Sequence, residues 1–293
     1  HAGHAEALEG MERWLFRADR PRPAAFVRTL RLDDDTAAPL LEAPVVAFDL
    51  CASPPADPLS RVLSEHGAAI LDHLRDGWRG SAPRRRLGLG SLPEPVAGAV
   101  RRAMGRLRPD TDSIEVWAID ARDAAVAPLW VDGRAAIGVD PSWAAALSES
   151  DLAFSVGFAI GASTPDVLPW IALDHEAFVE TLLGLRPDWP ASAPYDVRRA
   201  ARRARTVERG LTGEARSSLA TALSDWEPAV RAARAHAYAR SMAGGLVACL
   251  SWSTVRRQAK TLPLGPLRPW WPRFVRFATG RRFLGWACGL SEG

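Results

Sequence analysis

The chain has 293 residues, 47% of them hydrophobic and 24% charged, with a formal net charge of +3. This is an ordinary globular composition, enough for one large domain or two small ones with a substantial core. No apolar run reaches the roughly 20 residues that span a bilayer, and the longest, residues 243–250, is too short.

Charge is unevenly placed. Residues 196–293 carry 18 Lys and Arg against six Asp and Glu, leaving 19 against 28 in the first 195 residues. One reading is a basic surface for nucleic acid or anionic lipid; the plainer one is attraction between the two halves of one molecule. Cys51, Cys249 and Cys288 lie far apart and match no zinc or redox spacing, so reduced thiols and a cytoplasmic location are expected. A chain opening on His1 is expected to continue something longer.

In chain order, Leu8, Met11, Leu15 and Phe16 mark one face of a helix over residues 5–16, and a second helix is expected over 24–32. This pair, residues 1–40, has the form of the last unit of a helical repeat of the tetratricopeptide kind. Asp33, Asp34 and Asp35 form a solvated acidic turn without the alternating spacing of a cation loop. A strand is expected over residues 44–50 and a helix over 59–74, with Val62, Ala69 and Ile70 inward. His66 and His73 on that helix are seven apart, too far to share a metal without outside ligands. Residues 84–90, with three consecutive arginines and two glycines, read as a basic loop, and residues 96–107 as a helix.

Two β-rich runs follow, residues 114–120 and 135–140, joined by a segment with a turn signal at Asp132-Gly133. Then comes LSESDLAFSVGFAIGA, residues 147–162. Ser148 followed by Asp151 has the form of a capping box, and Leu152, Ala153, Val156 and Ile160 recur at helical spacing, so a buried helix starts here. Residues 163–169 read as a loop and 174–185 as a helix that Asp174 caps. A basic helix is expected over 196–209, with further helices over 213–223 and 228–251. The tail, residues 266–289, alternates Arg with Trp and Phe. It suits a terminal helix packed on the core, or an interfacial or base-stacking segment.

Strand, strand, buried helix, with Gly157 and Gly161 at matching positions, resembles the zinc endopeptidases whose active-site helix reads roughly ELAAVLGHELGH. On that pattern Phe158 and Ala162 stand where two histidines would bind zinc, and Ala159 where the general-base glutamate would be. Neither Phe nor Ala can ligate a metal or accept a proton. The third ligand of that family is a Glu on a later helix; here the best register puts Tyr238 there, with Gly245 just after, and no Asp or Glu occurs between Pro228 and Ser291.

The chain is also similar to the degenerate copies of this domain that end large bacterial tetratricopeptide-type proteins. Leu152-Ala153-Phe154 and the run from Arg276-Phe277-Ala278 to Phe283 carry that likeness. It implies an α+β, mostly helical, zincin-like domain over residues 41–293, with a small β-sheet edge and a buried former active-site helix. It further implies a pseudoenzyme that has no metal or other cofactor and acts as a protein-interaction scaffold or as a subunit of a multi-protein complex. The strand at 135–139 is the expected sheet edge, with Trp130, Ile137 and Trp143 forming its peptide groove. The alternatives are nucleic-acid or anionic-surface binding through the arginine-rich half, and a rearranged zinc site from His175, Glu176 and His236.

Overall fold

The computed structural model describes residues 2–18, 24, 27–28, 57–74, 83–107, 114–120, 124–261, 271–278 and 283. The acidic turn at 33–35, the strand expected at 44–50, most of the second helix, and Cys51 and Cys288 lie outside these residues, as does most of the tail.

Helix α1 (Ala2–Arg17) buries Leu15, with Leu8 and Met11 packed on the same core; Phe16, expected on that face, is exposed, because it lies one residue round from Leu15. Helix α2 (Pro58–His73) starts at Asp57, whose carboxylate accepts from the Ser60 amide at 2.8 Å, with Pro58 in the first turn. It buries Leu59, Leu63, Gly67, Ile70 and Leu71, while Val62 and Ala69 are only half-buried. Within the stretch expected to be a loop, Arg85–Leu87 forms strand β1. Charge pairs hold it to its neighbour, Arg86 with Glu115 at 3.0 Å and Arg84 with Asp120. Helix α3 (Glu94–Leu107) follows.

Strands β2 (Glu115–Ala118), β3 (Val126–Val131) and β4 (Arg134–Val139) complete a mixed sheet in the order β1-β2-β4-β3. β3 is an element the sequence reading passed over. It forms an antiparallel hairpin with β4 through Asp132 and Gly133, both at positive φ (49° and 76°), as a two-residue turn matching the strand twist requires. β4 also pairs with β2 in parallel. The strand expected at the sheet edge is therefore at its centre, and Ile137 is fully buried.

After α4 (Pro141–Ala144) comes α5 (Glu149–Gly161), the buried helix. Ser148 caps it as expected: its hydroxyl accepts from the Asp151 amide at 3.1 Å and donates to the Asp151 carboxylate at 2.6 Å. The segment read as a loop runs into the short helix α6 (Leu168–Ala172). The remaining helices are α7 (His175–Gly184), α8 (Val197–Glu208), α9 (Gly213–Ala222), α10 (Trp226–Cys249), α11 (Trp252–Thr261) and α12 (Trp271–Ala278). Leu250, in the left-handed region at φ 52°, ends α10.

Two large apolar clusters form the core. One joins α3, the inner face of the sheet (Val116, Val126, Ile137, Val139), α5, the C-terminal half of α10, and α11 and α12. The other joins α2, α6, α7, α8, α9 and the N-terminal half of α10. Helix α10, about 36 Å long, runs through both. The mostly helical α+β architecture agrees with the sequence expectation.

Candidate functional site

The site to test is the crossing of α5 and α10, where the resemblance places the chemistry. α5 is apolar on nearly every side: Leu152, Ala153, Phe154, Val156, Ala159 and Ile160 are all buried. A helix of that kind belongs inside the protein. It lies against α10 through glycines. A Cβ added at Gly157 would collide with the Ala248 side chain and the Gly244 carbonyl, and one at Gly244 with the Gly157 carbonyl. At Gly161 it would come within 3.0 Å of the Arg240 carbonyl, and at Gly245 within 2.5 Å of the Phe154 ring. The two backbones touch, so no groove separates the helices at these positions.

The positions expected to have lost their chemistry are packed. Phe158 is half-buried, its ring 5.9 Å from that of Phe154. Ala159 is fully buried in the first cluster; Ala162, the C-cap of α5, is fully buried in the second. Tyr238 is 3% exposed, with the Arg234 guanidinium 5.8 Å from its ring centre. Zinc needs three or four nitrogen, oxygen or sulfur ligands. Phe158, Ala159 and Ala162 offer none, so these residues do not fit the metal.

The rearranged zinc site is not assembled either. His175 lies beside Trp170, with ring centres 6.2 Å apart, whereas His236 is paired with Asp166 at 3.5 Å. Among the described residues no three His, Cys, Asp or Glu side chains are grouped so as to hold a metal ion.

What the structure has instead is a buried charge cluster that the sequence reading missed. Asp166, 2% exposed in the loop after α5, faces His236 and, at 3.7 Å, Arg240 on α10. Burial alone would raise its carboxyl, but His236 and Arg240 outweigh it and hold it below the ordinary carboxylate range. The same loop is pinned from α2, where a Cβ on Gly67 would lie 2.6 Å from the Pro165 carbonyl. At the other end of α5, Asp151 accepts from Arg257 at 2.7 Å and Gln258 at 2.9 Å on α11. Burial opposes ionisation of Asp151 as well, and the hydrogen bonds from Ser148, Arg257 and Gln258 overcome it. Both ends of α5 are thus tied by carboxylates, and the middle by glycine contact.

The expected groove residues do not come together. Trp130 and Trp143 lie towards opposite ends of β4, and Ile137 is buried between them. The Trp130 indole donates to Asp72 at 2.7 Å, and Trp130 packs with Leu71, Leu168 and Ala172. Among the described strands β3 is an outer one, and its register is informative. Val131 and Arg134 close a two-residue turn, so Val131, Leu129 and Ala127 bond to β4, whereas Val126, Pro128 and Trp130 point their backbone outwards. Pro128 has no N–H there, which blunts the edge against strand addition.

Burial pushes the Cys249 thiol up to about 12, away from the thiolate form. No helix among the described residues is long and apolar enough to cross a membrane. No family model, no curated protein and no solved structure matches this chain.

Proposed function

We propose that the chain is a non-catalytic, metalloprotease-like module that binds protein partners, as a scaffold or as a subunit of a larger assembly. The observation that carries this reading is the α5–α10 crossing. Its strand–helix order and glycines resemble those of the peptidases, while at the corresponding ligand and base positions Ala159, Ala162 and Tyr238 are buried in the core and Phe158 is half-buried against it. The glycine contact closes α5 onto α10 along one face, and the surfaces of the pair that face away from it are the ones left for a partner.

Grafting the lost letters tests the reading. Phe158→His, Ala159→Glu, Ala162→His and Tyr238→Glu together should create a zinc-binding protein whose thermal midpoint rises with zinc, while the parent shows no zinc-dependent shift and no hydrolysis of casein. A grafted protein that keeps its far-UV circular dichroism but does not respond to zinc would show that these positions do not converge as the resemblance requires. Zinc-dependent hydrolysis by the parent would end the non-catalytic reading outright.

A further inference from the structure

Helix α8 carries a charged stripe that plays no part in the α5–α10 crossing. Arg198, Arg202, Arg205 and Arg209 follow at steps of four, three and four, which places them on one face within about 60° over about 16 Å. Ala200, Ala204 and Val207 are buried on the opposite face. There Gly184 of α7 brings the two helices into contact: a Cβ on it would lie 2.5 Å from the Ala200 carbonyl. The stripe is therefore on a firmly seated helix and points to solvent. All four arginines are exposed, and none has an ion-pair partner among the described residues. Like charges three and four residues apart repel, and Arg198 in the first turn also opposes the helix dipole. Arg205 and Arg209 gain from that dipole at the other end of the helix, but no carboxylate among the described residues pairs with the stripe to relieve its repulsion.

The same helix shows what relieves it. Arg199 and Arg203, four residues apart, converge on Glu180 of α7, a carboxylate only 1% exposed. The Arg199 Nε donates to Glu180 Oε1 at 2.8 Å, and the Arg203 Nε lies 3.5 Å from Oε2. Arg198/Arg202 and Arg205/Arg209 repeat that spacing on the open face, and the two pairs are seven residues apart.

We propose that the α8 stripe docks an acidic helix of a partner protein, each arginine pair taking one carboxylate, with the partner's Asp or Glu recurring every seven residues. The inference rests on the protein-binding reading and names the surface and the chemistry of the partner. α8 bears no aromatic side chain to stack on bases, and its apolar face is buried apart from Val197 in the first turn, too little to enter a lipid surface.

The test uses the full chain and fluorescence anisotropy with three probes. These are a labelled helical peptide of about 20 residues with glutamates at seven-residue spacing, an isomer of the same composition with glutamates spread round the helix, and a DNA duplex of about 20 base pairs. The heptad peptide should bind about tenfold or more tighter than its isomer and weaken between roughly 50 and 200 mM salt. Arg205→Glu with Arg209→Glu, both at exposed positions, should weaken it about tenfold or more, while Arg101→Gln on α3 leaves it unchanged. Equal binding of the two peptides, full binding by the double variant, or tighter binding of the duplex would overturn the proposal. A protein partner still retained by the double variant would remove this surface and leave the protein-binding reading standing; zinc-dependent hydrolysis would do the reverse.

Discussion

At the scale of the residue, Gly157 and Gly244 decide how closely α5 and α10 approach. Gly244→Ala must force the backbones apart and should lower stability by about 1–3 kcal/mol or more. Gly105→Ala, in the exposed part of α3 with nothing near an added Cβ, should instead raise it by up to about 1 kcal/mol. Urea midpoints of the two variants moving the same way would contradict the packing argument. Asp166 gives a second test. Its folded pKa lies below the unfolded value, so its contribution is present above the ordinary carboxylate range and is lost as pH falls through the folded value. Asp166→Asn should therefore cost about 1–3 kcal/mol near neutrality and flatten the loss of stability below about pH 4. An acid limb identical to that of the parent would show that Asp166 is not held ionised. Gly157 was legible as a glycine of the resembled motif; Gly244, which it meets, was not, the neighbouring Gly245 being the one the resemblance picks out. Asp166 and Glu180 were not: their partners Arg240 and Arg199 are far along the chain, and no local pattern announces a long-range charge pair.

At the scale of the element, the helices were legible where a cap and a periodic apolar face coincide, as at Ser148 for α5 and Asp174 for α7. The sheet was not. β1 is three residues long and begins with two arginines, so no alternation announces it. β3 contains Pro128, which argues against a central strand and was compatible here only because its nitrogen faces outwards. With β3 unseen, β4 was assigned the edge it does not occupy. Restoring a donor with Pro128→Val should promote self-association, seen as a concentration-dependent rise in sedimentation coefficient beyond that of the parent. No change would mean that this edge is not the guarded one.

At the scale of the whole molecule, α10 makes the two apolar clusters depend on each other. α5 lies along its C-terminal half, while α7 and the loop carrying Asp166 belong with its N-terminal half. Urea unfolding followed by tryptophan fluorescence and by far-UV circular dichroism should therefore coincide; separate transitions would show that the clusters fold independently. We propose that this molecule resembles a metal-dependent peptidase whose ligand and base positions are packed by Phe158, Ala159, Ala162 and Tyr238. Elemental analysis of protein purified without a metal-binding tag tests it most directly. Zinc well below one ion per chain after dialysis is the expected result. One tightly held ion per chain, removed only by a chelator and required for hydrolysis, would contradict it.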